Sequence, residues 1–288
     1  MKKIAIVTDS NSGISQEEAK NLGCFVVPMP FIIKEDTFFE GINLSNEEFY
    51  NIQASGTRVT TSQPNINEIV ELWQNLLKDF DEVVHIPMSS GLSQSCETAQ
   101  NFAENFDGKV QVVDNRRISI TMRASVVDAV KMAKNGNSAS EIKKYLEETA
   151  LHSSIYIMVD TLKYLKQGGR ITPAAAAIGT VLNIKPVLQI QEGKLDTYAK
   201  VLNVKSARGK MIEALKKDLE GRFAEFVKEG SMRISVAHTK NDENAKAFAE
   251  ELQQNFPNIP LEFVDSLSLS VATHIGPKSL ACACYRIY

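Results

Sequence analysis

The sequence lacks an excess of positive charge. Its 288 residues include 32 Lys and Arg against 35 Asp and Glu, which gives a formal net charge of -3. A general nucleic-acid binder needs surplus basic residues to contact phosphates. We therefore expect no nucleic-acid partner.

Cysteine is scarce and long apolar runs are missing. Cys24 and Cys96 stand alone, and the pair Cys282 and Cys284 has no second pair to complete a tetrahedral site, so we expect buried thiols and no metal or other cofactor. No run approaches the ~20 apolar residues of a membrane span. Lys2 and Lys3 lead straight into a strand-like segment and not into a secretory leader. These absences predict a cytoplasmic protein without stable membrane insertion.

The sequence does contain β-branched apolar segments that alternate with helical patterns. Capping boxes, in which Ser is followed three residues later by Glu, begin helices at Ser15, Ser45 and Ser138. Alternation of this kind predicts α/β layers with a mainly parallel sheet. The predicted strands are residues 4–7, 24–28, 83–86, 110–113, 155–159, 187–191, 233–238 and 261–264.

The pattern changes near residues 147–154, which predicts two domains. Residues 1–150 show regular β-α alternation, whereas residues 151–288 contain a Gly pair, an alanine run and a hairpin-like segment around residues 191–194. We predict an N-terminal α/β domain with a layered, mainly parallel sheet and a smaller C-terminal α/β domain. The boundary is placed to within about ten residues, since element limits alone carry errors of a few residues.

Hydroxyl groups gather where strands of the first half end or helices begin. They lie in Thr8-Asp9-Ser10, in Thr60-Thr61-Ser62-Gln63 and in Ser89-Ser90-Gly91-Leu92-Ser93. Ligands of open α/β sheets bind beyond the carboxyl ends of the strands, where helix N-termini attract anions. One such loop alone is more typical of a helix cap. Three together indicate an anion site, although they do not identify the anion.

The second half carries two further candidate segments. Gly168-Gly169-Arg170 combines a flexible backbone with a fixed cation. His274 follows an apolar-alternating stretch, 267–271, and is expected in a loop, where its imidazole could donate to an anion. The alanine-rich segment after Pro173 favours equally a tight helix–sheet contact or the wall of an apolar channel, with Ala174, Ile178 and Leu182 as the wall residues.

In this order, the motifs resemble the DegV family of bacterial fatty-acid-binding proteins. The resemblance implies two α/β domains with one long-chain fatty acid (C14–C18, such as palmitate) between them, and a lipid-binding protein that is not itself an enzyme. It assigns the carboxylate to Thr61 and Ser93, with Ser62, His274 and Arg170 nearby as second-rank candidates. The motifs are Thr8-Asp9-Ser10, Thr61-Ser62-Gln63-Pro64, Ser89-Ser90-Gly91-Leu92-Ser93, Asp160-Thr161-Leu162 through Gly168-Gly169-Arg170-Ile171, Lys185-Pro186 and His274-Ile275-Gly276-Pro277.

Some members of that family pass the fatty acid to a separate ATP-dependent fatty acid kinase. The resemblance implies such a partner here, with Lys205 and Arg208 facing it. The family's Val-Arg-Thr element reads Val204-Lys205-Ser206 in this chain, so the charge is kept while bidentate geometry is lost. A small residue usually follows His-Ile-Gly-Pro, but Lys278 stands there.

Two other functions use the same loops. A serine hydrolase would place its nucleophile at Ser93, but Ser95 stands where a nucleophile elbow needs glycine. A phosphate- or nucleotide-binding protein would use the hydroxyl loops directly, yet the chain has neither a Walker lysine pattern nor a Gly-x-Gly-x-x-Gly fingerprint.

Overall fold

A computed structural model describes residues 2–172, 184–191 and 194–288. The chain divides into two compact units. Unit 1 comprises residues 1–150, 268–270 and 288, and unit 2 comprises residues 151–267 and 271–287. The main division thus falls between Ala150 and Leu151, while residues 268–270 and Tyr288 return to unit 1, which the sequence pattern did not indicate.

Unit 1 contains a parallel sheet of four strands with apolar residues on both faces. Ala5 and Val7 of the first strand belong to one buried cluster and Ile6 to another, because successive side chains of a strand point to opposite faces. Helices cover both faces, so the predicted parallel α/β layers are confirmed here. In the order β2-β1-β6-β7, the strands are β1 (Ile4–Asp9), β2 (Phe25–Val27), β6 (Glu82–Ile86) and β7 (Val110–Val112).

A second, antiparallel sheet in unit 1 was not predicted. Its order is β4-β3-β5, with β3 at Pro30–Ile33, β4 at Asp36–Phe39 and β5 at Val59–Thr61. The strands have only three or four residues, too few for a periodic pattern to stand out. β5 ends at Thr61, one of the predicted carboxylate-binding residues.

The helices of unit 1 begin where their caps predict. Ser15, Ser45 and Ser138 each form the complete capping box with the Glu three residues later, which confirms all three. The helices are α1 (Gln16–Leu22), α2 (Asn46–Ala54), α3 (Ile66–Leu76), α4 (Ser95–Ala103), α5 (Ser119–Lys134) and α6 (Ala139–Glu148).

Unit 2 is built on a six-stranded mixed sheet. Among its neighbouring pairs, only β11 with β12 is parallel. Gln191 pairs with Lys194, which confirms the predicted hairpin. In the order β10-β9-β8-β13-β11-β12, the strands are β8 (Ser153–Met158), β9 (Lys185–Gln191), β10 (Lys194–Val201), β11 (Met232–His238), β12 (Leu261–Ser266) and β13 (Leu280–Arg286).

Long helices pack on this sheet through apolar faces. Met211 and Leu215 of one helix, and Phe248 and Leu252 of another, join a single buried cluster with strand residues such as Cys282. All four cysteines are free and buried, as predicted. No helix in the described part of the chain is long and apolar enough to cross a bilayer. The helices are α7 (Lys163–Gly168), α8 (Val204–Glu220), α9 (Ala224–Lys228), α10 (Asp242–Asn255) and α11 (Leu269–Ile275), the first two residues of which belong to unit 1.

Glu40, after β4 in unit 1, carries a buried carboxyl group. Its Oε1 accepts a hydrogen bond from the Leu269 N–H of the same unit at 2.9 Å. Its Oε2 is buried and has no hydrogen-bond partner among the described residues. Burial raises the pKa of Glu40 to about 7, with the Leu269 N–H acting in the opposite direction.

We expect Glu40→Gln to stabilise the protein at pH 8 and not at pH 4.5. A carboxyl whose pKa is raised on folding binds its proton more tightly in the native state, so its contribution to stability falls as pH rises from about 4.5 to about 7. The expected gain at pH 8 is about 1–2 kcal/mol, after allowance for partial exposure. Urea unfolding at the two pH values measures it, with exposed Glu35→Gln as the control. An equal effect of Glu40→Gln at both pH values would contradict this assignment.

Candidate functional site

The carboxyl ends of β1, β6 and β7 lie at one edge of the parallel sheet in unit 1. These strands are neighbours in the sheet, so the loops that follow them are neighbours too. Two of the three predicted hydroxyl loops, those after β1 and β6, lie at this edge. Parallel α/β sheets bind ligands there.

Asp9, the last residue of β1, links the first two loops. Its Oδ2 accepts a hydrogen bond from the Met88 N–H at 2.9 Å, and its Oδ1 accepts bonds from the Asn11 N–H and Nδ2 at 2.8 and 2.7 Å. The Asn11 Nδ2 also contacts the Met88 Sδ at 3.2 Å. Burial raises the pKa of Asp9, while the N–H groups of Met88 and Asn11 act in the opposite direction.

The loop after β6 is held by its own polar groups. The Ser89 N–H donates to the Arg117 carbonyl at 3.0 Å, and the Ser89 Oγ accepts from the Gly91 N–H at 3.1 Å. The Ser89 carbonyl accepts from the Ser93 N–H at 3.2 Å. The Ser90 hydroxyl donates to an Asp114 carboxylate oxygen at 2.5 Å. Ser89 and Ser90 therefore shape the loop.

Ser93 differs from these two serines. It is half-buried, and its Oγ accepts a hydrogen bond from the Ser95 N–H at 3.2 Å. Among the described residues, no acceptor takes the Ser93 hydroxyl proton, which leaves that proton for a ligand. Gln94 precedes α4 without a side-chain cap. The start of α4 therefore offers N–H groups and a partial positive charge beside Ser93.

The segment that contains Thr61 reaches the same helix. Thr61 is half-buried at the end of β5, and the Thr98 Oγ1 of α4 donates to the Gln63 Oε1 at 3.3 Å. Ser62 is exposed, and its hydroxyl donates to the Gln63 carbonyl at 3.2 Å. The structure thus brings the Thr-Ser-Gln-Pro segment and the Ser93 loop to one helix, α4.

Arg117 is a buried cation behind this edge that the sequence analysis missed. Its Nη2 donates to the Thr149 carbonyl at 2.7 Å, its Nε to the Ala150 carbonyl at 3.3 Å and its Nη1 to the Ser125 Oγ at 3.2 Å. Through these hydrogen bonds, the Arg117 side chain connects the turn after β7 to the end of α6. A buried Arg cannot be recognised from sequence, because two of its acceptors are the carbonyl groups of Thr149 and Ala150, far along the chain.

In unit 2, two second-rank candidates lie together. Arg170 donates from its Nη1 to the Gly168 carbonyl at 2.5 Å, and a Cβ at Gly168 would overlap the His274 Nδ1. Burial, and then the Arg170 charge, lower the pKa of His274 to about 4. The expectation of a loop was wrong for His274, because it lies half-buried in the last turn of α11.

The remaining candidates fall in three different settings. Ala174, Ile178 and Leu182 lie outside the described residues. Lys205 is exposed in the first turn of α8. Arg208, on the same helix, forms an ion pair with Glu251 of α10 and lies over the Phe248 ring at 5.8 Å.

Comparisons with known proteins cover nearly the whole chain. The sequence model of the DegV family, described as an uncharacterised protein family, matches residues 3–286. Protein DegV of Bacillus subtilis is 32% identical, over 98% of this chain and 99% of the relative. A solved DegV family structure from Thermus thermophilus, described for its fatty acid binding, superposes with a TM-score of 0.88 at 27% identity, covering 99% of this chain and 100% of that one. The crystal structure of Bacillus subtilis DegV, described as a fatty acid binding protein, gives 0.85 at 29% identity with the same coverage.

Proposed function

The chain belongs to the DegV family, as its motifs predicted, and we propose that it binds one long-chain fatty acid by the carboxylate. The relatives described as fatty acid binding support the ligand class. The observation that carries the proposal is the Ser93 hydroxyl, whose proton has no acceptor among the described residues and whose oxygen accepts the Ser95 N–H at the start of α4.

Hydroxyl and N–H donors suit a carboxylate that must leave water. An unpaired buried carboxylate would protonate or destabilise the complex. The Ser93 hydroxyl donates to one carboxylate oxygen, and Thr61, whose segment contacts the same helix, supplies a second hydroxyl. The partial positive charge at the start of α4 adds to this without a buried countercharge.

The acyl chain supplies most of the affinity. Each methylene removed from water contributes roughly 0.8 kcal/mol, so about 15 methylenes contribute on the order of 12 kcal/mol before ordering costs. The hydroxyls then orient the head group and distinguish an acid from a neutral lipid. Chain lengths of C14–C18, palmitate included, are part of this proposal.

We expect Thr61→Ala with Ser93→Ala to weaken fatty acid binding by on the order of a hundredfold, since a hydrogen bond to a charged group contributes roughly 1.5–3 kcal/mol and water replaces part of it. Protein purified from cells is extracted with organic solvent and analysed by mass spectrometry, and delipidated protein is then titrated with palmitate. The matched control is Thr60→Ala with Ser140→Ala; Thr60 neighbours Thr61 on the opposite face of β5. Wild-type protein that neither carries nor takes up fatty acid, or a double variant with wild-type affinity, would refute the proposal.

The proposal includes a partner that uses the bound lipid. A separate ATP-dependent kinase would phosphorylate the carboxylate, for which the carboxylate oxygen must reach the γ-phosphate in line. Exposed Lys205 is the better candidate to contact such a partner, because Arg208 is already paired with Glu251. In this proposal the protein presents a substrate in the cytoplasm and is not itself an enzyme.

The described residues give no support to a serine hydrolase. Ser93 forms no hydrogen bond with a histidine among them, and its Oγ accepts the N–H of Ser95, the residue that stands in place of the elbow glycine. A phosphate-bearing ligand stays the alternative to test, because the same donors suit phosphate. Thermal stabilisation by nucleotides, with none by palmitate, would favour it.

A further inference from the structure

Asp9 forms more hydrogen bonds than a local cap requires. Its Oδ1 accepts the Asn11 N–H and so caps the short 3₁₀ turn at Ser10–Ser12. Its Oδ2 accepts the Met88 N–H, 79 residues away in the loop after β6. Asp9 is only 2% exposed, so each of these bonds is made away from water. A cap would need one oxygen, whereas Asp9 uses both.

The hydrogen bond between the Met88 N–H and the Asp9 Oδ2 is connected to Ser93 through a short chain of contacts. Met88 precedes Ser89, whose carbonyl accepts the N–H groups of Leu92 and Ser93 at 3.0 and 3.2 Å. This turn sets the direction of the Ser93 side chain. On its other side, the Ser89 N–H is fixed to the Arg117 carbonyl. The loop is therefore held through three successive backbone N–H groups, those of Met88, Ser89 and Ser90, and Asp9 accepts the first of them.

We infer that Asp9 is a positioning residue that makes the site selective for a carboxylate by fixing the loop that carries Ser93. The inference rests on the proposed function. Only a carboxylate fits this place, because both oxygens must accept N–H donors from different loops. The amide of Asn has one acceptor oxygen and turns its NH₂ group toward the remaining N–H donor.

The test compares a fatty acid with the matching alcohol. Delipidated wild type, Asp9→Asn and the milder Asn11→Ala, which removes the side-chain contacts to Asp9 and Met88, are titrated with tetradecanoic acid and with tetradecanol. The control is Val84→Ala, which opens a cavity in the core of β6 without altering the loops. Thermal unfolding measures the stability lost in each variant.

We expect Asp9→Asn to lower the acid-to-alcohol affinity ratio by about tenfold, and Asn11→Ala to lower it less, since one misplaced hydroxyl loses about one hydrogen bond. Val84→Ala should lose stability and keep the wild-type ratio. If Asp9→Asn does not fold, the acid-to-alcohol affinity ratio of Asn11→Ala tests the inference. An unchanged ratio in the folded loop variants, or an equal fall in Val84→Ala, would overturn the inference. Wild-type protein that binds neither probe would overturn the proposed function itself.

Discussion

Arg117→Met should lower the free energy of unfolding by about 3 kcal/mol, because it leaves buried acceptors without donors. The carbonyls of Thr149 and Ala150 both accept from the guanidinium, and Arg117 is 2% exposed, so water does not replace the lost donors readily. The free energy of unfolding of Arg117→Lys should lie between those of the wild type and Arg117→Met, since lysine keeps the charge but lacks the planar guanidinium. Urea unfolding followed by circular dichroism measures the change.

The neighbouring arginine provides the control for that experiment. Arg116 is exposed, so Arg116→Met should change the free energy of unfolding by no more than about 0.5 kcal/mol. Both substitutions remove one guanidinium from the same turn, and only Arg117 donates into the protein interior. Equal losses in the two variants would show that the turn, and not the buried hydrogen bonds, determines the effect.

Trp73→Ala should cost about 3–5 kcal/mol, the range for a large aromatic residue removed from a core. Trp73 is fully buried, and its ring packs edge-on against His85 and Phe106 with centroids 5.5 Å away in each case. It is the single tryptophan of the chain, so unfolding is followed by circular dichroism instead of fluorescence.

Trp73→Phe separates packing from polarity at this position. The Trp73 Nε1–H is buried and has no hydrogen-bond partner among the described residues, so it contributes an uncompensated cost that phenylalanine would remove. We therefore expect Trp73→Phe to cost less than about 1.5 kcal/mol, despite the smaller ring. Equal losses for Phe and Ala would mean that the indole N–H is satisfied in solution.

The elements visible in the sequence are those determined by near neighbours. The buried runs of β1 and β6 and the capping boxes at Ser15, Ser45 and Ser138 each depend on residues within one segment. β13 was missed because its small residues, Ala281 to Cys284, gain their strand partners only from β8 and β11. Such pairing is a tertiary effect that local propensity does not report.

The features of the candidate site also divide into those that the sequence shows and those that only the structure shows. Ser93 and Thr61 stand out as hydroxyls beside a helix start and a strand end, whereas Arg170 and His274 were named together only through the family resemblance. The bond from Asp9 to Met88 leaves no trace in sequence, because Asp after a strand is also an ordinary cap. The sequence shows which residue occupies a motif. It does not show that a second oxygen of Asp9 accepts a hydrogen bond from another loop.

The position of β13 in the sheet of unit 2 has a consequence for synthesis on the ribosome. β13 follows β8 to β12 in the chain, yet it lies between β8 and β11 and joins the β10-β9-β8 and β11-β12 groups. A nascent chain therefore carries two incomplete sheets with exposed edges until β13 emerges, whereas the parallel sheet of unit 1 can already close. Protection of the nascent chain against proteases should accordingly appear in two steps, first for residues 1–150 of unit 1 and then, late and all at once, for unit 2.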